Sequence, residues 1–221
     1  IPLTLRATLQ SAIGSAGRVR DRFSVDGWMA LNDLAKTARR MAATVTAGED
    51  EAQAMGVLLR KVTGFSGLVH ENMYRSDGWR FLTIGRSLER VTSMASLLAR
   101  FADAAAPDGA LDLALEVGDS AMSHRRRYSI STTRETVLDL LALDPMNPRS
   151  MLYHLAELRE QIGLLPGGDG PSARSPLARA ALQLHAGLAV KTPEELETDD
   201  LLACRSDLAQ LSDLLSEAYL R

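Results

Sequence analysis

Cysteine, aromatic residues and lysine are all scarce in this sequence, and each scarcity excludes something. One cysteine in 221 residues, Cys204, rules out an internal disulfide framework and a four-cysteine zinc site. Two Trp, four Tyr and four Phe leave the core to Leu, Ala, Val and Met. No run of about 18 apolar residues occurs, so no membrane-spanning helix is expected. No charged stretch followed by an apolar one opens the chain, as a secretory signal would, and a cytoplasmic location is the expectation. Neither sign of charge dominates: the net charge is −3 and the pI 5.8, which argues against non-specific nucleic-acid binding. The chain opens Ile1-Pro2 and reads as a piece of a longer protein.

Signatures that carry chemistry on their own are missing too. There is no G-x-x-x-x-G-K-[ST], no G-x-G-x-x-G after a strand, no H-E-x-x-H and no G-x-S-x-G. The glycine-rich stretch within 165–173 lacks both a lysine and a strand-to-helix setting, and reads as a mobile loop. His70, His124, His154 and His185 are too scattered to suggest a metal set. The 22 Arg against 3 Lys fit either a GC-rich genome or a demand for bidentate carboxylate and phosphate recognition. Abundance does not separate the two; position does.

What is present is helical periodicity. Leu5, Leu9, Ile13, Ala16 and Val19 predict a helix over about 3–22. Ser24 reads as the cap of a second, running through Trp28, Leu31, Leu34 and Met41. Gly48-Glu49-Asp50 reads as a break, followed by helices over about 51–70 and 77–105. Shorter ones are expected at 110–120, 133–143 and 148–164, the last with Pro148 in its first position. Two more close the chain at 174–190 and 198–219. Strand patterns are missing, so the expectation is an all-α, multi-helix antiparallel bundle of about seven to nine helices, in a single domain over 1–221. One echo is visible: Ser24-Val25-Asp26-Gly27-Trp28 with Leu31 resembles Arg75-Ser76-Asp77-Gly78-Trp79 with Leu82. Shared capping chemistry or a duplicated hairpin would each produce it.

Charge gathers in three places. At about 100° per residue, Arg75, Trp79, Leu82, Arg86, Glu89 and Arg90 fall on one face of a helix, with Phe81, Ile84, Leu88, Val91 and Ala95 opposite. This is either a solvated stripe or a buried, paired Arg-Glu-Arg group. The second place is Asp119-Ser120 followed by His124-Arg125-Arg126-Arg127-Tyr128, where adjacent cations must meet carboxylates, an anionic ligand or water. The third is Asp144-Pro145-Met146-Asn147-Pro148-Arg149-Ser150, where Asn147 is positioned to cap the next helix or help hold an anion.

These three stretches resemble the signature of the bacterial alpha-E family, named for an α-helical domain with a Glu-Arg motif. The matching residues are Glu71 to Arg75, Trp79 to Leu82, Gly85-Arg86, Leu88-Glu89-Arg90, then Asp119-Ser120 and Arg125 to Tyr128. Val137, Asp139, Leu141, Asp144 and Asn147 to Ser150 complete them. Two departures stand out: position 124 is His where the family pattern suggests an aromatic, and no counterpart of the family's N-terminal Glu-Arg helix precedes Ile1. The resemblance thus implies the C-terminal portion of such a domain. It also implies an adjacent or fused circularly permuted ATP-grasp ligase that supplies ATP and Mg, with a transglutaminase-like protease in the same pathway. No cofactor of the chain's own is expected.

From the resemblance and the charges together, Glu71, Arg75, Trp79, Arg86, Glu89, Arg90, Asp119, Arg125, Arg127, Tyr128, Asn147 and Arg149 are the candidate binding residues. Some of the six arginines among them are expected to converge with Glu71, Glu89 and Asp119 in the bundle interior. There the Arg forks would bind a carboxylate or phosphate of a peptidic or acyl-phosphate substrate, or an acidic segment of the ligase, with Glu89 as neutralising partner. That describes an accessory domain without catalysis of its own. The alternatives are a purely structural docking domain with a paired ionic core, and an acyl or aminoacyl transferase with Glu89 as general base. An open cleft at the arginines separates the first from the second.

Overall fold

Leu, Ala and Met recurring every three or four residues bury a continuous stripe only on a helix, and every regular element among the described residues is helical. The computed structural model describes residues 3–45, 48–128, 131–167 and 174–220. Ten α-helices occur among them, slightly more than the seven to nine expected, and the all-α class stands. Most of the loop expected at 165–173, namely residues 168–173, lies outside the described residues. No described helix is long and apolar enough to cross a membrane. The chain divides into two compact units, Ile1–Gly78 and Trp79–Arg221.

The first unit holds α1 (Leu3–Arg18), α2 (Val25–Thr44) and α3 (Glu49–Asn72). Leu31, Leu34, Ala38 and Leu58 form its core, with Leu5, Leu9, Ile13, Met55 and Phe65 packed around them. The Ser24 hydroxyl caps α2 by accepting from the Gly27 amide at 3.0 Å, and Asp26 in the first turn complements the helix dipole. Two boundaries differ from expectation. The first helix stops at Arg18, and Arg20–Arg22 form a separate 3₁₀ turn. Gly48 stands just before α3 at φ 112°, a conformation that costs glycine little. Glu49 and Asp50 belong to α3, where acidic groups suit the first turn. At the other end of α3, the Arg75 guanidinium donates to the carbonyls of His70 (2.6 Å) and Met73 (3.1 Å).

The second unit is built on α4 (Asp77–Phe101), whose first turn contains the division between the units. Ile84, Val91, Ala95 and Leu98 of α4 are fully buried, while Glu89, Arg90 and Arg100 are exposed. Then come α5 (Ala110–Val117), α6 (Ala121–Arg127) and α7 (Arg134–Leu138), which continues as a π-helical turn over Asp139–Leu143. α8 (Met151–Gly163), α9 (Pro176–Ala189) and α10 (Thr198–Tyr219) complete it. The core is mainly leucine: Leu138, Leu141, Leu155, Leu158, Leu201 and Leu211 are each at most 1% exposed. Full burial of such a side chain contributes about 1.5–3 kcal/mol.

Three local features shape the part of this unit that matters below. The capping proline expected at 148 is displaced by Ser150, whose hydroxyl accepts from the Tyr153 amide at 3.1 Å and donates to the Asp144 carbonyl at 2.5 Å. A side-chain acceptor satisfies an orphan N–H, which proline cannot do, and α8 therefore starts at Met151. Arg134 donates to the carbonyls of Ala102 (2.8 Å) and Leu196 (2.6 Å), joining three segments distant in sequence. The α5–α6 turn passes so close to the core that a Cβ on Gly118 would lie 2.8 Å from Leu141 Cδ2 and 3.0 Å from the Ala114 carbonyl oxygen.

Gly118→Ala is therefore expected to destabilise the protein by about 1–3 kcal/mol through overpacking. Thermal denaturation followed by circular dichroism checks this, with a fall of about 2–4 °C expected per kcal/mol.

Candidate functional site

Asp119, Arg127, Tyr128, Asn147 and Arg149 are drawn together around the segment that leads from α7 to α8. Arg127, at the end of α6, forks between two carboxylates: Nη1 meets Asp144 at 2.6 Å and Nη2 meets Asp139 at 3.0 Å. The Tyr128 hydroxyl donates to the same Asp139 oxygen, and the Arg127 guanidinium lies 5.3 Å from the centre of the Tyr128 ring. Burial and the Asp139 carboxylate push the Tyr128 hydroxyl well above the usual phenol range. The buried Asp144 carboxylate also accepts from the Met146 amide at 2.9 Å. This group is satisfied by its own members.

Asn147 continues the framework. Its amide donates to the Leu140 carbonyl in the π turn (2.8 Å) and to the Ser120 hydroxyl (3.3 Å), while its oxygen accepts from the Arg149 amide (3.0 Å). It is a fastener of the loop rather than the helix cap expected. Arg149 then reaches Asp119 at 2.5 Å. Asp119 takes a left-handed backbone, φ 49°, in the α5–α6 turn, a conformation that Asp tolerates better than most residues.

The second group is not self-paired. Arg86 and Arg90 lie one helical turn apart on α4, and Arg149 adds a third guanidinium. Among the described residues no carboxylate comes within ion-pair distance of Arg86 or Arg90; the exposed Glu89 pairs with neither. Desolvation, then the charges of Arg149 and Arg86, pull the Arg90 guanidinium below its ordinary pKa. Arg90, Arg149 and Glu89 border a cleft of 490 Å³ between α4 and the end of α5.

Beneath this group lies His154 of α8, 5% exposed. Its Nε2 has no hydrogen-bond partner among the described residues, and its ring stands edge-on to Tyr153 at 5.3 Å. Burial first, then Arg90, Arg86 and Arg149, push its pKa down to about 4, against a weaker opposing hydrogen bond to the Pro148 backbone. It is a neutral imidazole at neutral pH, and it registers the same uncompensated positive field.

The expected convergence in the bundle interior is corrected by these positions. Glu89, Arg90, Asp119, Arg125, Arg127 and Arg149 are all exposed and Arg86 is half-buried, because the leucine core fills the interior. Trp79 is buried rather than part of a charged surface. Glu71 and Arg75 belong to the first unit. His124 is buried: its ring is tilted against Tyr128 at 5.0 Å and bonded through Nε2 to the Thr136 hydroxyl at 2.8 Å. Asp139, Asp144 and His154 were not among the twelve candidates. The two aspartates stood in the quoted motif, whereas nothing in the sequence marks His154. No cluster of His, Cys, Asp and Glu suited to a metal ion occurs among the described residues. The Cys204 thiol is pushed up to about 11 by burial and Asp207, and stays protonated at neutral pH.

Two expectations follow. Arg127→Met leaves Asp139 and Asp144 without their cation and should cost about 1–3 kcal/mol in chemical denaturation. His154 binds its proton less well folded than unfolded. Its contribution is therefore complete above about pH 6.5 and is lost as pH falls towards 4. The shift corresponds to about 3 kcal/mol. Denaturation of the wild type and His154→Phe at pH 7 and pH 4.5 should show a shallower acid loss in the variant; equal losses would remove His154 as the cause.

Comparison with known proteins agrees with the motif that α4 carries. A family model described as Alpha-E, a predicted alpha-helical domain with a conserved ER motif, matches residues 2–220. The chain's one Glu-Arg step is Glu89-Arg90. Uncharacterized proteins of Mycobacterium tuberculosis (strain H37Rv) and Mycobacterium bovis are each 28% identical over 218 residues, which is 95% of this chain and 24% of theirs. The chain thus spans about a quarter of the length of the curated relatives it matches. No solved structure matches it. The chain belongs to the Alpha-E family.

Proposed function

We propose that this Alpha-E domain is an accessory anion-binding module, which holds a carboxylate or phosphate group at Arg86, Arg90 and Arg149 for chemistry carried out elsewhere. The observation that carries the reading is that Arg90, which borders an open cleft, and Arg86 one helical turn away meet no carboxylate within ion-pair distance among the described residues. Three guanidinium groups in mutual repulsion are stabilised by any anion placed among them, and their forks suit a planar carboxylate or a phosphate. Arg149 is available to a ligand despite its bond to Asp119. Both side chains are well exposed, 43% and 74%, and such a pair holds by no more than about 1 kcal/mol.

The chemistry itself belongs, in this reading, to an ATP-grasp amide ligase that carries ATP and Mg and lies in the same polypeptide or acts with it. A transglutaminase-like protease serves the same pathway. The resemblance to the family supports this assignment. The mycobacterial relatives, of which the match covers 24%, have room for a further domain. The ligand is then a peptidic acid or its acyl phosphate. A structural role is favoured for one part of the charged set only: Arg127, Asp139, Asp144 and Tyr128 pair among themselves, as an ionic clasp does.

Thermal-shift titration with pyrophosphate, glutamate and short acidic peptides tests the reading. A ligand at a hundredfold excess over Kd adds about 2.7 kcal/mol, a rise of about 5–10 °C for a chain of this size. Arg86→Met and Arg90→Met should remove the rise while keeping the helical spectrum. An undiminished rise in both variants, or none with any anion, would overturn the assignment.

A further inference from the structure

The cleft beside the cations is not lined like a site for a bare anion. Arg90, Met94, Leu97 and Phe101 follow one another at helical spacings of four, three and four, so they form one stripe along α4. At 1.5 Å per residue this stripe is about 16 Å long, with the guanidinium group at one end and apolar side chains along the rest. Val117 at the end of α5 faces the same space and is 63% exposed. The cleft's 490 Å³ lies within the usual range of small-ligand sites. Met94, Leu97 and Phe101 are half-buried against the core, and a phosphate or a free amino acid would fill only the cationic end and leave their outer surfaces in water.

We infer that the ligand is amphiphilic: one carboxylate or phosphate head at Arg90 and Arg149, joined to an extended apolar body lying along Met94, Leu97 and Phe101. This rests on the anion-binding reading above and narrows it to one ligand class. Charge complementarity fixes the orientation, with the head towards Arg86 and Arg90 and the tail towards Phe101. The exposed Arg100 stands on the rim, to one side of the stripe, and adds to the positive field without interrupting the apolar floor.

Calorimetric titration with acetate, octanoate (below its micelle-forming concentration) and pyrophosphate provides the test, on the wild type, Val117→Gln and Arg90→Gln. Each buried methylene tightens binding about fourfold. Octanoate should thus bind at least about a hundredfold more tightly than acetate, allowing for incomplete burial. Val117→Gln changes an exposed position and should keep the fold; it should weaken octanoate severalfold and leave pyrophosphate unchanged. Arg90→Gln should weaken both. Equal affinity for acetate and octanoate, with pyrophosphate still bound, would overturn the amphiphile and leave the anion site standing. Octanoate binding indifferent to Arg90→Gln would overturn it as non-specific adsorption. Binding of none of the three would overturn both readings together.

Discussion

Arg127 grips two acidic residues of the same segment at once, and the geometry of the charged surface follows from that grip. Asp139 lies in the π-helical turn and Asp144 just beyond it, so one planar fork fixes both ends of Leu140–Leu143. The Asp144 carbonyl is held in turn by Ser150, and Asn147 hooks the bend between them to Leu140 and Ser120. Arg149 is thereby presented towards Asp119 by a loop with almost no freedom of its own. A guanidinium hung on a loose loop would settle at the nearest carboxylate; this one is held where α4 already carries two more.

The two charged groups of the second unit contrast in their completeness. Arg127, Asp139 and Asp144 each have a partner of opposite sign, and the cost of burying Asp144 is offset by the Arg127 guanidinium and the Met146 amide. Around Arg90 three guanidinium groups gather, and Glu89 on the same cleft is within ion-pair distance of none of them. Burial and then this positive field depress the basicity of His154, and the one nearby pair, Arg149 with Asp119, is surface-exposed and weak. Placing like charges four residues apart on a helix works against its stability. Proteins retain such local conflicts mainly where function demands them. The conflict is tolerated here because Ile84, Val91, Ala95 and Leu98, on the other side of α4, are buried completely and anchor the helix irrespective of its outer face.

The helices themselves were largely readable from sequence, for a plain reason. Apolar spacing reports which residues must leave water, and on α4 it separates Ile84, Val91 and Ala95 from Glu89 and Arg90 correctly. The errors lie where local signals compete. Pro148 and Asn147 both looked like openings for α8, yet Ser150 prevailed because its hydroxyl both accepts from the helix and donates back to Asp144. Glu49 and Asp50 looked like part of a break because they follow a glycine, although acidic residues belong in a first helical turn. The short helix α6 escaped notice because its seven residues are too few to display a period.

Charge was harder to read than apolarity. Composition and spacing by themselves determined an all-α protein, the buried stripe of each long helix and the residues that carry unusual charge. They also carried the three charged stretches on which the resemblance to the family rests. Only the tertiary structure decided which of those charges cancel. Arg127 and Arg90 are the same side chain, yet one forks between two aspartates and the other meets no carboxylate within ion-pair distance among the described residues. That difference arises between residues distant in the chain, because electrostatic energy depends on distances through space, which helical periodicity does not record.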